Sequence, residues 1–280
     1  MHMGADSRTT NATRAGVHEL AQELGIQVWR APAGTPRRQL IARAARESLR
    51  GRLPERYATD TWHVPFRPRL QEALQPGIRI LDLGAGARPM VPPQERPPGC
   101  TYVGFDVDAD ELRKAPAGSY DDYVVGDVCT LHDDLVGQFD LVLSWLTMEH
   151  VKPVPDALEN LSRYQRPGGR FLGYLSGSWS AHAFLNRVVP HGLAKAAMRR
   201  TLDREPDTVF RAHYDHCWYD ALEAIGRRCW SRAEIVPVFT GGWYFRFSPA
   251  LRAPYMAYEE WAVTGGHRNL AAYYILDAVA

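Results

Sequence analysis

The pattern of apolar and polar positions divides the chain into regions of different character. Residues 1–13 are mostly polar and are predicted to be a disordered segment or tag. Between residues 14 and 76, apolar side chains recur at helical spacing, first over 17–24 and again over 40–45. Because this spacing places them on one side of a helix, the region is predicted to be a helical extension interrupted by proline and glycine.

From Ile78 onward, short apolar runs alternate with polar or helical segments. Seven runs are predicted to be strands: 78–83, 101–105, 123–125, 141–145, 170–175, 235–239 and 271–280. Between the fourth and fifth runs, residues 157–164 carry the apolar stripe of an amphipathic helix. Strands separated by crossovers indicate a parallel sheet with covered faces, and therefore a doubly wound α/β fold.

The predicted boundaries follow these changes of pattern. Residues 77–176 are assigned to the core of the sheet, and residues 177–230, rich in aromatic residues and histidines, to an inserted lid. Residues 231–280 hold two terminal strands around an aromatic-rich insertion. We expect residues 14–280 to form one domain.

A glycine turn follows the first apolar strand. Residues 80–86 read Ile-Leu-Asp-Leu-Gly-Ala-Gly, so the strand runs directly into Gly84, Ala85 and Gly86. In a parallel sheet this turn lies at the carboxyl end of the strands, where ligands bind, and glycine lets the backbone approach a ligand closely. Taken alone, the turn could equally be a plain tight turn.

Two carboxylates end the next two strands. Asp106 lies 24 positions after Asp82 and could accept hydrogen bonds from both hydroxyls of a ribose, although a solvated strand-end aspartate is the alternative. Asp127 lies 21 positions after Asp106 and could accept the amino group of an adenine, with Val128 packed against the ring. Together with the glycine turn, this order of residues predicts a nucleoside-containing cofactor.

The residues after the glycine turn discriminate between cofactors. The dinucleotide-binding fingerprint requires a third glycine or alanine that opens a helix under the diphosphate. Here that position is Pro89, within a proline-rich loop that extends to Pro98. The sequence therefore favours a cofactor without phosphates over a nicotinamide dinucleotide.

The ordered set of motifs resembles the class I, Rossmann-like S-adenosylmethionine-dependent methyltransferases, and within them the small-molecule branch that includes quinone methyltransferases. The resemblance spans roughly residues 57–175. It is carried by the following segments: Asp82 to Gly86, Asp106, Gly126-Asp127, Glu149-His150-Val151 and Arg166 to Arg170. Where many members have a further glycine this chain has Arg88, which could pair with the methionine carboxylate, with Asp82 or with solvent.

The resemblance implies S-adenosyl-L-methionine as cofactor and assigns residues to it. Gly84 and Gly86 would face the methionine part, Asp106 the ribose, and Asp127 with Val128 the adenine, while the backbone at Ser144 and Trp145 would approach the methionine amino group. The remaining predicted cofactor residues are Tyr57, Ala85 and Val107. The expected fold is α/β, with a mostly parallel seven-stranded sheet, an antiparallel last strand, the N-terminal helical extension and the lid.

The reaction itself places few demands on side chains, because the sulfonium methyl group is already activated. A general base is needed only where the nucleophile must lose a proton. Candidates are His150, Tyr214 and His216, each with a structural role as the alternative. The predicted acceptor pocket consists of Trp62, His182, Trp243 and Tyr244, which could equally be core residues.

Charge and composition argue against nucleic acid, metal ions and a membrane as binding partners. The formal net charge of +1, from 33 basic and 32 acidic residues, is too balanced for a protein that binds nucleic acid by releasing counterions. The four widely spaced cysteines and the histidines show no metal-ligand spacing, and no apolar run is long enough to span a bilayer. We therefore expect a cytoplasmic enzyme that methylates a small molecule and needs no metal, with its oligomeric state open; a nicotinamide oxidoreductase and a non-catalytic cofactor-binding protein are the alternatives.

Overall fold

The structure, a computed structural model, describes residues 27–58, 65–180, 183, 212–245 and 247–280. The predicted tag at 1–13 and the predicted helix at 17–24 lie outside these residues. Two units emerge from the packing of the chain. The first consists of the described residues up to Arg67 together with Phe239–His267, and the second of Pro68–Val238 together with Arg268–Ala280.

The described residues contain nine strands and six α-helices. The strands are β1 (Gln27–Trp29), β2 (Arg52–Pro54), β3 (Arg79–Leu83), β4 (Thr101–Asp106), β5 (Asp122–Val125), β6 (Phe139–Trp145), β7 (Gln165–Ser176), β8 (Arg232–Val238) and β9 (Tyr273–Val279). The helices are α1 (Arg37–Leu49), α2 (Phe66–Ala73), α3 (Ala109–Arg113), α4 (Val154–Tyr164), α5 (Tyr219–Cys229) and α6 (Pro249–Thr264). None of these helices has the length and apolar character needed to cross a bilayer.

The second unit contains the seven-stranded sheet, in the order β5-β4-β3-β6-β7-β9-β8. All neighbouring strands run parallel except β9, which is antiparallel to both β7 and β8. Each of the seven runs predicted from the sequence is a strand, so the predicted fold class is confirmed. After β5 the chain returns to the other side of β3 to form β6, and this reversal opens a crevice at the carboxyl ends of β3 and β6.

Apolar strands and helix stripes explain how the sheet is buried. Side chains of β3 and β6 are almost all inaccessible to solvent, as expected for parallel strands covered on both faces. Helix α4 buries the predicted stripe, including Leu158 and Leu161. Helix α5 packs against β8 and α4, so this part of the predicted lid at 177–230 is a layer of the sheet fold.

An ion-pair network fixes the antiparallel strand β9. Asp277 of β9 accepts two hydrogen bonds from the guanidinium of Arg170 in β7, both at 2.8 Å. Arg69 of α2 donates to the same carboxylate at 3.1 Å. Because Asp277 is buried, these bonds satisfy a charge that would otherwise be costly to remove from water.

The first unit joins the N-terminal region to the aromatic-rich insertion near the C-terminus. Helices α1 and α6 pack together, and a small apolar core forms around Trp29, Tyr57 and Met256. Strands β1 and β2 form a separate two-stranded parallel sheet. With three residues each, these strands are too short for a recognisable alternation of apolar and polar residues, so the sequence pattern did not predict them.

A smaller difference concerns the start of β7. The sequence predicts that the helix over 157–164 closes at Pro167-Gly168-Gly169 and that the strand begins at Arg170. In the structure α4 ends at Tyr164 and β7 begins directly at Gln165. The pairing of β7 with β6 shifts register between Phe139 and Leu141, and this irregularity accommodates the proline and glycines within the strand.

Candidate functional site

The glycine turn closes the carboxyl end of β3. The amides of Gly84 and Ala85 donate to the carbonyl of Phe105 in β4, at 2.8 and 3.2 Å. Gly84 and Gly86 both have positive φ, +69° and +48°, a region where side chains are disfavoured. A Cβ at Gly84 would overlap the hydroxyl of Thr147, which lies directly on the turn and donates to the carbonyl of Leu83.

Asp106 is drawn to this turn from the end of β4. One carboxylate oxygen accepts from the amide of Gly86 at 2.9 Å, and the other accepts from the amide of Asp108 at 3.0 Å. An ionised carboxylate has about four acceptor positions, so about two remain for a ligand. The adjacent Val107 is 69 % exposed, which leaves the space beside the carboxylate open.

A buried carboxylate supports the turn from below. Asp82 accepts from the amide of Met90 at 2.8 Å and from the hydroxyl of Tyr102 at 2.7 Å. Burial is the main reason that the pKa of Asp82 is raised to about 6. The hydroxyl of Tyr102 in turn accepts from the amide of Val91, so the loop is held at two points.

Tyr120 holds the same turn from the side. Its hydroxyl donates to the carbonyls of Ala85 and Gly86, at 2.8 and 3.0 Å. Its ring lies so close to Gly104 of β4 that a Cβ at Gly104 would come within 2.9 Å of it. The glycine turn is therefore fixed independently of any ligand.

The loop after the turn has the character expected from Pro89. Residues 84–92, all described, contain turns and bends and no helix. No helix therefore begins within residues 84–92, where the dinucleotide fingerprint would place a helix N-terminus under a diphosphate; the first helical turn after them is the 3-10 helix Pro93–Glu95. Arg88 is exposed, and Asp82 is bonded to other groups than its guanidinium.

The predicted adenine residues follow β5. The Asp127 carboxylate accepts from the amide of Cys129 at 2.9 Å and is exposed, whereas Val128 is buried. The carbonyl of Val128 accepts from the side-chain amide of Asn160 in α4 at 2.9 Å. The backbone here is anchored to the core, while the carboxylate faces solvent.

Ser144 and Trp145 end β6 at the same edge of the sheet. The hydroxyl of Ser144 is buried without a hydrogen-bond partner among the described residues. The indole of Trp145 stacks on Tyr174 at 4.5 Å, and Tyr174 stacks on Tyr273 at 5.1 Å. The next residue, Leu146, has a φ of +53°, which is unusual for a branched aliphatic residue and turns the chain sharply.

A one-turn 3-10 helix, Met148–His150, follows immediately and holds the segment at 213–217. The amides of His213 and Tyr214 both donate to the carbonyl of Glu149, at 2.8 and 3.0 Å. The Glu149 carboxylate is buried and accepts from the hydroxyl of Ser176 at the end of β7, at 2.7 Å. Burial raises the pKa of this carboxyl group.

The segment itself is strained. Tyr214 and His216 have φ values of +53° and +52°. Backbone in this region costs roughly 1–3 kcal/mol for each such residue and persists only where the surroundings impose it. Ser178 imposes it from the other side, since its hydroxyl donates to the carbonyl of Tyr214 at 2.8 Å and its amide to that of Cys217 at 2.7 Å.

The structure thus brings most of the predicted site residues to one edge of one unit. The residues of the second unit are Gly84, Ala85, Gly86, Asp106, Val107, Asp127, Val128, Ser144, Trp145, His150, Tyr214 and His216. Three others belong to the first unit: Tyr57, Trp243 and Tyr244. Trp62 and His182 lie outside the described residues.

Within the first unit, Tyr57 is bound into a polar network. Its hydroxyl donates to the carboxylate of Glu259 at 2.5 Å and accepts from the amide of Gly242 at 2.8 Å. The ring of Trp243 lies 6.0 Å from that of Tyr57, and Tyr244 is partly exposed. Both hydrogen-bonding capacities of the Tyr57 hydroxyl are therefore engaged within this unit.

Sequence reasoning missed several residues that shape the site. Thr147, Tyr120 and Ser176 act through hydrogen bonds to segments far apart in sequence, and no local pattern distinguishes them. Glu149 lies within a recognised motif, but only the structure shows that its carboxylate is buried. Asp215, next to the predicted His216, had the one available signal, because it is an acidic residue within a dense polar-aromatic run.

The residues present fit an adenosine-containing cofactor without phosphates. The Asp106 carboxylate keeps free acceptor positions beside an open glycine turn: a Cβ built at Gly86 would meet only Asp106, at 3.8 Å. Asp106 would hold the ribose, and Asp127 the base. The fold and this edge are those of a doubly wound α/β protein whose residues suit a nucleoside.

Comparison with known proteins identifies the class more closely. A family model described as a methyltransferase domain matches residues 50–232, well over half of the chain. The chain belongs to this family, and it is a class I S-adenosylmethionine-dependent methyltransferase whose cofactor is S-adenosyl-L-methionine. No curated protein sequence matches it.

Several solved structures are similar to this chain. A structure with the Haloferax volcanii Trm112 methyltransferase activator and a methyltransferase is 16% identical, with 86% of this chain and 97% of that chain covered and a TM-score of 0.44. A Mesorhizobium loti S-adenosylmethionine-dependent methyltransferase is also 16% identical, with coverage of 76% and 96% and a TM-score of 0.44. Haemonchus contortus phosphoethanolamine N-methyltransferase 2 with bound S-adenosyl-L-methionine is 14% identical, with coverage of 89% and 61% and a TM-score of 0.48.

Proposed function

We propose that this enzyme methylates a small-molecule acceptor at the carboxyl edge of the sheet, between the 3-10 helix Met148–His150 and the segment at 213–217. The observation that carries the proposal is the concentration of strained, non-glycine backbone at this edge. Leu146, Tyr214 and His216 are the only described non-glycine residues with positive φ, and all three adjoin or form these segments. Strain of this kind clusters at ligand-binding sites, where it fixes side-chain positions.

The cofactor side of the proposal follows the glycine turn. Gly84, Ala85 and Gly86 would lie against the methionine part and Asp106 would accept from the ribose hydroxyls. The bound cofactor supplies an activated methyl group, so the protein's contribution is to bind, orient and exclude water. Holding the acceptor in line with that methyl group supports catalysis by up to about 7–11 kcal/mol in favourable intramolecular reactions.

Charge supports a small acceptor over a nucleic acid. The net charge of +1 gives no general attraction to a phosphate backbone. Trp145, stacked in a column with Tyr174 and Tyr273, offers an aromatic surface next to the strained turn at Leu146. A specialised metabolite or a lipid or sugar intermediate with an apolar or planar part suits such a surface.

The test is a screen for transferred label. The purified chain is incubated with S-adenosylmethionine carrying an isotopic methyl group and a protein-free metabolite extract, and products are identified by mass spectrometry. We expect label in a small molecule, and much less label with an Asp106→Ala variant at a limiting concentration of S-adenosylmethionine. Parallel incubations contain total RNA or a protein lysate instead of the metabolite extract. Label that appears only in those incubations would contradict the proposal.

The acceptor-side residues are tested by their separate effects on turnover and binding. Tyr214→Phe and His216→Ala should lower turnover far more than affinity for S-adenosylhomocysteine, because interactions made only in the transition state appear in the catalytic rate. If both variants turn over the labelled acceptor normally, the acceptor binds elsewhere.

A further inference from the structure

We infer that Asp215 fixes the ring tautomer of His216 so that His216 is the general base, and that the acceptor is therefore a nucleophile that must lose a proton, such as a hydroxyl group. The inference deepens the proposed function and rests on it. Asp215 is a positioning residue in this scheme, whereas His216 is the catalytic residue. A carboxylate or tertiary amine acceptor would need neither.

The first observation is the hydrogen bond between the two side chains. Nδ1 of His216 lies 2.9 Å from Oδ1 of Asp215. An ionised carboxylate can only accept, so in the neutral imidazole the proton resides on Nδ1 and the lone pair on Nε2. This is the arrangement in which a histidine, oriented by a carboxylate, can take a proton from a nucleophile.

The carboxylate that orients the ring is itself fixed. Oδ2 of Asp215 accepts from the amide of Val154 at 2.9 Å. Val154 is the first residue of α4, where backbone amides have no partner within the helix. Each oxygen of Asp215 thus has one defined donor, and the carboxylate cannot rotate without losing both.

The ring is held in place from a second direction. The imidazole of His216 stacks on the indole of Trp218, with the ring centroids 5.2 Å apart and the planes inclined by 18°. The side chain is 43 % exposed, and no group of the described residues bonds to Nε2. The edge of the ring that would accept a proton is therefore open.

Strained backbone is what allows two sequence neighbours to meet in this way. In an extended chain adjacent side chains point to opposite sides. The positive φ values at Tyr214 and His216 reverse the chain on either side of Asp215, and the bonds to Glu149 and Ser178 hold that reversal. The same bonds place the pair beside Met148–His150, which follows β6 at the carboxyl edge of the sheet.

The step balances without any further reactant. The acceptor's lone pair forms a bond to the methyl carbon while the bond between that carbon and the sulfur breaks. The two electrons of the broken bond remain on the sulfur. The proton on the acceptor atom moves to Nε2 of His216. The resulting imidazolium is paired with the Asp215 carboxylate until it releases the proton to solvent.

A purely structural role for Asp215, as a cap for α4, is the competing explanation, and Asp215→Asn separates the two. The asparagine oxygen can still accept from the Val154 amide, which leaves its NH₂ group facing His216. That group donates to Nδ1 and so selects the other tautomer, with the proton on Nε2. A purely capping role predicts an unchanged kcat in Asp215→Asn, because the bond to Val154 is kept.

The tautomer is measured directly by long-range proton–nitrogen NMR on the full chain with nitrogen-labelled histidine, at a pH where the ring is neutral. Signals are assigned by their loss in His216→Gln. We expect a protonated Nδ1 in the wild type and a protonated Nε2 in Asp215→Asn. His267, which stacks on Trp261 in the first unit, is the internal control and should not change. A wild-type His216 with its proton on Nε2 would overturn the inference.

Kinetics with the labelled product of the metabolite screen give the second readout. Asp215→Asn should lower kcat at least tenfold with KM and the affinity for S-adenosylhomocysteine unchanged, and His216→Gln should lower it about 10²–10⁴-fold. The methyl group should be found on an atom that has lost a proton. A quaternary ammonium or carboxylate ester product would refute the role of His216 as base. If no small molecule is labelled, the proposed function fails, while the tautomer measurement still decides whether Asp215 fixes the tautomer of His216.

Discussion

Replacing Asp82 by asparagine isolates the electrostatic cost of burying a carboxylate beneath the glycine turn. Burial raises the pKa of Asp82 to about 6, from 3.8 for a solvated carboxyl group. At 1.36 kcal/mol per pKa unit, ionising this group in the folded chain costs about 3 kcal/mol more than in the unfolded chain. Asparagine keeps an acceptor oxygen for Met90 and Tyr102 without the charge. We therefore expect Asp82→Asn to stabilise the second unit by up to about 3 kcal/mol at pH 7.

The pH dependence provides the sharper measurement. The folded chain binds the Asp82 proton more tightly than the unfolded chain does. The contribution of Asp82 to the free energy of unfolding is therefore largest below about pH 4, and it is lost as the pH rises through about 6. Urea unfolding at several pH values should show this decline in the wild type and a flatter profile in Asp82→Asn. Asp121→Asn, which removes an exposed carboxylate that accepts from the amide of Tyr102, is the control. Equal stability of wild type and Asp82→Asn at pH 7, with the same slope between pH 4 and 6, would refute the reasoning.

Three further predictions concern the cofactor edge. Asp106→Ala should weaken S-adenosylhomocysteine binding at least tenfold, about 1.4 kcal/mol, in a chain that still folds; unchanged calorimetric affinity would remove Asp106 from the site. Gly86→Val should abolish binding while Gly168→Ala retains it. Both glycines have positive φ, but only Gly86 belongs to the turn, so equal effects in the same titration would make the defect one of backbone strain. Tyr120→Phe removes the hydroxyl that binds the turn carbonyls and should cost about 1 kcal/mol of stability together with a several-fold loss of affinity, measured by thermal unfolding with and without S-adenosylhomocysteine.

The sequence predicts those parts of the fold that depend on residues close together in the chain. The glycine turn directly follows its strand in the sequence. Asp106 ends the next strand, at a spacing that is typical of a parallel sheet. Their geometry follows from the backbone conformations that each residue type prefers. For this reason the seven strands were accessible without a structure, whereas the antiparallel last strand and the family were expected from the resemblance that these motifs carry.

The parts that could not be predicted depend on contacts between distant segments. Nothing near Tyr57 indicates that its hydroxyl will bond to Glu259, about two hundred residues later, within a unit that joins the N-terminal region to residues 239–267. The same holds for Thr147, which fills the space that the missing side chain of Gly84 leaves. Such pairs have no sequence signature in a single chain, because each partner is ordinary in its own neighbourhood.

Positive φ values occur on both sides of the proposed site, but in different residue types. On the cofactor side, the positive φ values fall on Gly84 and Gly86, which adopt them at little energetic cost. On the acceptor side they fall on Leu146, Tyr214 and His216, where each costs free energy that the surrounding hydrogen bonds must offset. A turn made only to reverse the chain would gain stability by replacing these residues with glycine. The side chains at these positions therefore contribute something that glycine cannot: Tyr214 is buried and contributes packing, and His216 carries an imidazole paired with a fixed carboxylate. His216→Gly should accordingly leave the second unit folded, as measured by thermal unfolding, and lower turnover of the labelled acceptor; normal turnover would show that the imidazole is not required.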